Sequence, residues 1–189
     1  ENFRNTCSDL KSNFKFTPNS TGADSFNADE FMWRHWIVTF SARYALNFTN
    51  STNYNFVECG VGDGMTAFFA LREMKKNMKF KDCKMHLYDS WSSMQKNDLT
   101  SSELSNVGRY HNLSMEKTKN NLSEFSSKLI FHPGYIPQSF SDLTESPQEI
   151  IYLHIDLNAT KPTIDALDFF YPKIVKGGII IFDDYGNTG

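Results

Sequence analysis

Two groups of residues in this sequence can do chemistry. The first is Val57-Glu58-Cys59-Gly60-Val61-Gly62-Asp63-Gly64, a short apolar run that ends in an acid and opens into a G-x-G-x-G turn. Glycines let the backbone turn tightly and approach a ligand closely. A turn between a strand and a helix places that ligand at the strand's C-terminal end, by the helix N-terminus. A dinucleotide turn reads G-x-G-x-x-G. Here Met65 holds its last position and Gly64 comes one residue early. Glu58, just before the loop, suits a cationic ligand better than a pyrophosphate. Asp89 closes the next apolar run, 31 residues on (89 − 58), and is followed by Ser90. An acid there can accept both ribose hydroxyls of an adenosine, or can cap its own turn.

The second group is Asp156, Asp183 and Asp184, which follow Ile150-Ile151-Tyr152-Leu153-His154-Ile155 and Ile179-Ile180-Ile181-Phe182. Neighbouring parallel strands deliver their C-terminal ends to one rim, so these carboxylates can converge. Packed together they repel unless a cation joins them, and a hard divalent ion with oxygen ligands, such as Mg²⁺, answers that need. The bland alternative is that Asp156 and Asp184 cap the elements that follow them.

These residues need elements to hold them. Strands are expected at 56–59, 85–89, 129–132, 150–156 and 179–183. Helices are expected over 28–46, 66–76, 115–125, 138–143 and from Thr160 to Tyr171, with Gly177-Gly178 turning the chain into the last strand. Strands alternating with helices give an α/β fold with a parallel sheet. In the first helix Phe31, Ile37, Val38, Ser41, Tyr44 and Ala45 share a face. Phe31-Met32-Trp33-Arg34-His35-Trp36 reads either as a lid over a ligand or as a packing stripe. Residues 1–27 are polar and read as a loose arm, and 90–112 as irregular.

Composition sets the bounds. The 189 residues carry 19 basic against 22 acidic side chains, net −3, which argues against a nucleic-acid binder. No apolar run spans a bilayer, so no membrane partner is expected. Cys7, Cys59 and Cys83 are odd in number and lack a C-x-x-C spacing, which points to a reducing, cytoplasmic setting.

From Phe56 to Tyr185 the sequence resembles class I S-adenosylmethionine-dependent methyltransferases, in particular the macrocin O-methyltransferase family of antibiotic-sugar enzymes. The likeness rests on the glycine-loop run, Leu87-Tyr88-Asp89-Ser90-Trp91, Gly134-Tyr135-Ile136-Pro137-Gln138-Ser139-Phe140, His154-Ile155-Asp156-Leu157-Asn158-Ala159-Thr160, and Gly177 through Tyr185, in that order. It implies a Rossmann-like, doubly wound, mostly parallel sheet. It also implies a polar arm over 1–27 and a methyltransferase domain over 28–189, made of a helical cap 28–50 and a core 54–189. Glu58, Gly60, Val61, Gly62 and Gly64 would hold the methionine part of S-adenosylmethionine, Asp89 and Ser90 the ribose, and Gly134 and Tyr135 the adenine, with Asp156 beside them. Asp156, Asp183 and Asp184 would bind Mg²⁺, which would grip a diol of a sugar-like acceptor. Asp156 is the candidate base, with His111 and His132 as alternates. The family continues past Tyr185 with about two strands, so a further ~30–50 residues are expected, and the resemblance suggests a homodimer. The rivals are a nicotinamide-dependent oxidoreductase, which lacks a Tyr-x-x-x-Lys signature here, and a non-catalytic nucleoside-binding module.

Overall fold

The runs of branched and aromatic residues form the strands. The computed structural model of the protein describes residues 2–18, 32–51, 53–143 and 145–183. Its strands are β1 (Tyr54–Cys59), β2 (Cys83–Asp89), β3 (Leu129–Pro133), β4 (Ile150–Ile155) and β5 (Ile174–Phe182). They form one parallel sheet in the order β3-β2-β1-β4-β5. The central strand β1 and its neighbour β4 are buried almost throughout, as parallel strands covered on both faces must be. The chain builds outward from β1 to β3 and then returns to place β4 on the other side of β1. The ends of β1 and β4 therefore flank the switch point of the sheet, where open α/β folds bind ligands.

Among the described residues five α-helices pack around the sheet: α1 (Asn2–Asn13), α2 (Met32–Phe48), α3 (Met65–Lys75), α4 (Met115–Asn121) and α5 (Thr160–Phe170). α1 lies where the sequence reading expected a loose arm. Its apolar residues Phe3, Cys7 and Leu10 are few but helically spaced, Leu10 is fully buried, and Phe3 packs on Phe69 at 5.5 Å. α2 buries Val38, Ser41 and Ala45 as expected, together with His35, Ala42 and Leu46. Ile37 and Tyr44 instead lie at the surface. Trp36, Phe40, Tyr44 and Phe48 form an aromatic row along the outer side, with successive ring centroids 4.5–6.3 Å apart. Phe31 lies outside the described residues.

β5 starts earlier than expected. Gly177 and Gly178 fall inside it, at a shift in its register with β4, and do not form a turn before it. Residues 90–112 hold two short 3-10 turns, Lys96–Asp98 and Ser101–Asn106. Among the described residues no helix is long and apolar enough to cross a membrane.

Candidate active site

The glycine loop lies against the end of β4. A Cβ on Gly60 would come 1.7 Å from the carbonyl oxygen of Asp156, and Gly60 has φ +84°, so no other residue fits there. Asp156 N–H donates to the Cys59 carbonyl at 2.8 Å, which ties the two strand ends together. Gly62, at φ +55°, has open space where a Cβ would be. Trp91 and Thr118 both donate to the Gly62 carbonyl, at 3.1 and 2.6 Å. Asp63 is buried and accepts from the backbone N–H and the hydroxyl of Thr17, each at 2.6 Å. The N-terminal segment is thereby strapped over the loop.

The loop opens into a cavity of about 660 Å³, within the range of small-molecule sites. Gly60, Val61, Gly62, Asp89, Ser90, Gly134 and Tyr135 all line it. Asp156, Asp183, Trp33 and Arg34 line its rim. Asp89 also organises the loop: its Oδ2 accepts from Val61 N–H at 2.7 Å and Gly62 N–H at 2.8 Å, and its Oδ1 from Trp91 N–H at 2.7 Å. Burial pushes the Asp89 carboxyl above its ordinary pKa, against the pull of these backbone donors. Tyr135 is held over the cavity by its hydroxyl, which donates to the Ser93 carbonyl at 2.8 Å and accepts from Gln95 at 3.0 Å.

At the rim, Asp156 and Asp183 accept hydrogen bonds from the same nitrogen, Nη2 of Arg34, at 2.7 Å for Asp156. Their oxygens therefore converge on one point that a cation fills. The donor set is all oxygen, which suits a hard divalent ion. Among the described residues no group of three or more His, Cys, Asp and Glu is placed to hold a metal ion, and Asp184 lies outside the described residues. Sequence reasoning anticipated a cation between the aspartates but not that the chain supplies one. Arg34 sat within the unusual aromatic segment without a signal tying it to residues 122 and 149 positions away. That segment divides: Trp33 and Arg34 face the cavity, and Trp36 joins the outer aromatic row.

Several expected site residues are not on the cavity wall. Glu58 is fully buried beneath it, with Oε1 accepting from Thr66 and Oε2 3.9 Å from His154 Nδ1. Burial works against protonation of His154, but Glu58, Asp156 and Asp183 outweigh it and raise its pKa. Gly64 caps α3 at φ +90°, and a Cβ there would press on Leu122 and Thr118 at 3.0–3.2 Å; it serves helix packing. His132 is buried in the sheet, stacked on Tyr88 at 4.0 Å and 3.0 Å from His86 Nδ1. His111 is exposed and bonded to Gly108. Neither histidine lines the cavity.

A sequence profile described as macrocin-O-methyltransferase (TylF) matches residues 39–189. The chain belongs to the macrocin O-methyltransferase family. No curated protein sequence matches it significantly. Solved structures with this fold include the O-methyltransferase NovP, 21% identical with a TM-score of 0.68, over 82% of this chain and 65% of that one. The calicheamicin methyltransferase CalS11 is 18% identical with a TM-score of 0.70, over 98% and 77%. An apo structure of CalS11, described as a TDP-rhamnose 3'-O-methyltransferase, is 14% identical with a TM-score of 0.59, over 99% and 78%. The chain thus spans just under two thirds of the length of NovP. The family match takes in the glycine loop, Asp89, Gly134, Tyr135 and the acidic rim, and α1 and Arg34 precede it.

Proposed function

We propose that this member of the macrocin O-methyltransferase family transfers a methyl group from S-adenosylmethionine to a hydroxyl of a small molecule, a sugar or glycosylated metabolite, with Mg²⁺ at its acidic rim. One observation carries the reading: the glycine loop, the Asp89–Ser90 and Gly134–Tyr135 walls and the Asp156–Asp183 pair open into a single cavity of about 660 Å³. The names of NovP and CalS11, both methyltransferases and one acting on TDP-rhamnose, support it.

The residues present fit both groups. Gly62, with open space where a side chain would be, leaves room for a ligand against the backbone, and Asp89 and Tyr135 line the same cavity for a ribose and an adenine. Asp156 and Asp183 would hold Mg²⁺ where Arg34 now joins them. S-adenosylmethionine supplies an electrophilic methyl, and Mg²⁺ lowers the pKa of a sugar hydroxyl that is otherwise a weak nucleophile. The chain's own part is to align and to accept a proton. Trp33, 61% exposed at the cavity mouth, offers a flat face for a sugar ring. Asp156 lines the cavity rim and is the candidate base. Holding the acceptor oxygen in line with the methyl supplies much of the rate.

The test is transfer of labelled methyl from S-adenosylmethionine to a panel of nucleotide-linked and free deoxysugar glycosides, with Mg²⁺ or with a chelator. The reading expects transfer to at least one acceptor, lost with chelator. It also expects Asp183→Asn to abolish turnover while leaving cofactor affinity nearly unchanged. Full-rate transfer by Asp183→Asn would remove the metal assignment.

A further inference from the structure

Asp156 is also held by Asn158 and, through it, by the segment 90–112, which carried no recognisable motif. Asn158 Nδ2 donates to Asp156 Oδ1 at 2.9 Å, and Tyr110 donates its hydroxyl to Asn158 Oδ1 at 3.1 Å. Arg109 Nη2 donates in turn to the Tyr110 oxygen at 3.2 Å. The polarity of this row is fixed by chemistry. A carboxylate only accepts, so the Asn158 amide must turn its NH₂ toward Asp156. Its carbonyl oxygen is left to accept, so Tyr110 must donate, and the Tyr110 oxygen then accepts from a guanidinium that only donates. Every bond in the row points positive charge toward Asp156 Oδ1.

The backbone is bent to build it. Asn158 has φ +53° and Tyr110 has φ +64°. Asparagine tolerates the left-handed region, but a tyrosine there is an outlier, and such outliers collect at functional sites. Arg109, Tyr110 and Asn158 all line the cavity. With Oδ1 held by Asn158, the other oxygen, Oδ2, is turned to the point it shares with Asp183.

We propose that Asn158 and Tyr110 are positioning residues for Asp156: Asn158 fixes the carboxylate so that Oδ2 faces the cation seat, and Tyr110 fixes Asn158. The segment 90–112 would thereby help build the acidic rim from across the acceptor side. This rests on the metal-assisted reading above and concerns residues that reading did not use.

The test is a double-mutant cycle read by Mn²⁺ binding, followed by water-proton relaxation, with S-adenosylmethionine affinity and thermal melting measured alongside. Asn158→Ala should weaken Mn²⁺ binding by about 10–100-fold, the usual effect of losing a partner that orients a ligand. Tyr110→Phe, which removes one oxygen near the surface, should weaken it by roughly 3–10-fold. Tyr110→Phe should have no further effect in the Asn158→Ala background, because it acts only through Asn158. Cofactor affinity should stay unchanged throughout. Wild-type Mn²⁺ affinity in both single variants, or additive effects in the double variant, would overturn the inference while leaving the metal reading standing. A wild-type protein that binds S-adenosylmethionine but no Mn²⁺ would remove the metal reading, and this inference with it.

Discussion

Arg34 Nη2 lies 2.7 Å from Asp156 Oδ2 and donates also to Asp183 Oδ2, so one guanidinium nitrogen joins the ends of β4 and β5. The three side chains are each less than one fifth exposed, so water screens their charges only in part. A guanidinium and a divalent cation cannot share that seat: two like charges about 4 Å apart repel by several kcal/mol even at an effective dielectric constant near 20. The proposed metal binding would therefore have to move Arg34. Arg34→Gln, which removes the competing charge, should bind Mn²⁺ at least about tenfold more tightly than the wild type, a gain of about 1.4 kcal/mol. Equal or weaker binding would show that Arg34 does not compete for the seat.

Gly60 is the least replaceable residue of the loop. Gly60→Ala adds a methyl 1.7 Å from the Asp156 carbonyl oxygen on a backbone at φ +84°. The ends of β1 and β4 would have to part. A loss of more than about 3 kcal/mol in stability is expected, read as an earlier denaturant midpoint together with lost cofactor binding. Gly62→Ala has open space and meets only the cost of its positive φ, so it should melt much closer to the wild type.

Thr17 tests whether the N-terminal strap stabilises the loop. Thr17→Val removes the hydroxyl bond to buried Asp63 and keeps the backbone one. A hydrogen bond to a charged group contributes about 1.5–3 kcal/mol, which for a chain of this size lowers the melting temperature by roughly 3–12 °C. An unchanged melting temperature would mean that the strap is incidental.

The histidines set an acid limit. Burial pushes His35 down to about 4, with Arg34 and His154 adding to it. Burial and the neighbouring His132 bring His86 to about 3, and burial brings His132 to about 4. Each stays neutral in the folded protein while the unfolded chain takes up a proton near pH 6.5. Their contribution is present above about pH 6.5 and is lost as the pH falls toward 4. His154, with its raised pKa, has the opposite sign: its contribution is full below about pH 6.5 and fades as the pH rises through its folded value. Three act against one, so the melting temperature should fall steadily from pH 7 to pH 4.5. A flat or rising curve would contradict these burial environments.

The strands and the switch point were legible because their residues are contiguous: Ile150-Ile151-Tyr152-Leu153 reads as a buried strand, and the glycine loop marks the end of β1. The boundaries were less so. Gly177 and Gly178 read as a turn but fall within β5, because an irregularity in the pairing with β4 accommodates them. α1 was missed because Phe3, Cys7 and Leu10 are outnumbered by polar neighbours, although buried Leu10, the Phe3–Phe69 contact and the Asp9–Arg72 ion pair dock it. In the site, Asp89, Gly134 and Asp156 follow from strand ends. Arg34, Thr17 and Tyr110 do not, since each meets its partner through tertiary packing across 46 or more residues. Glu58 was legible as an acid by the loop, but its carboxylate turns inward to Thr66 and not toward the cavity.

The proposed function requires the cavity beside Gly60 and Asp89 to take S-adenosylmethionine. Calorimetric titration of the protein with S-adenosylmethionine and with NAD, each with and without Mg²⁺, tests it most directly. Saturable heat is expected with S-adenosylmethionine and none with NAD, with weakened binding in Asp89→Ala. Saturable heat with NAD and none with S-adenosylmethionine would contradict it.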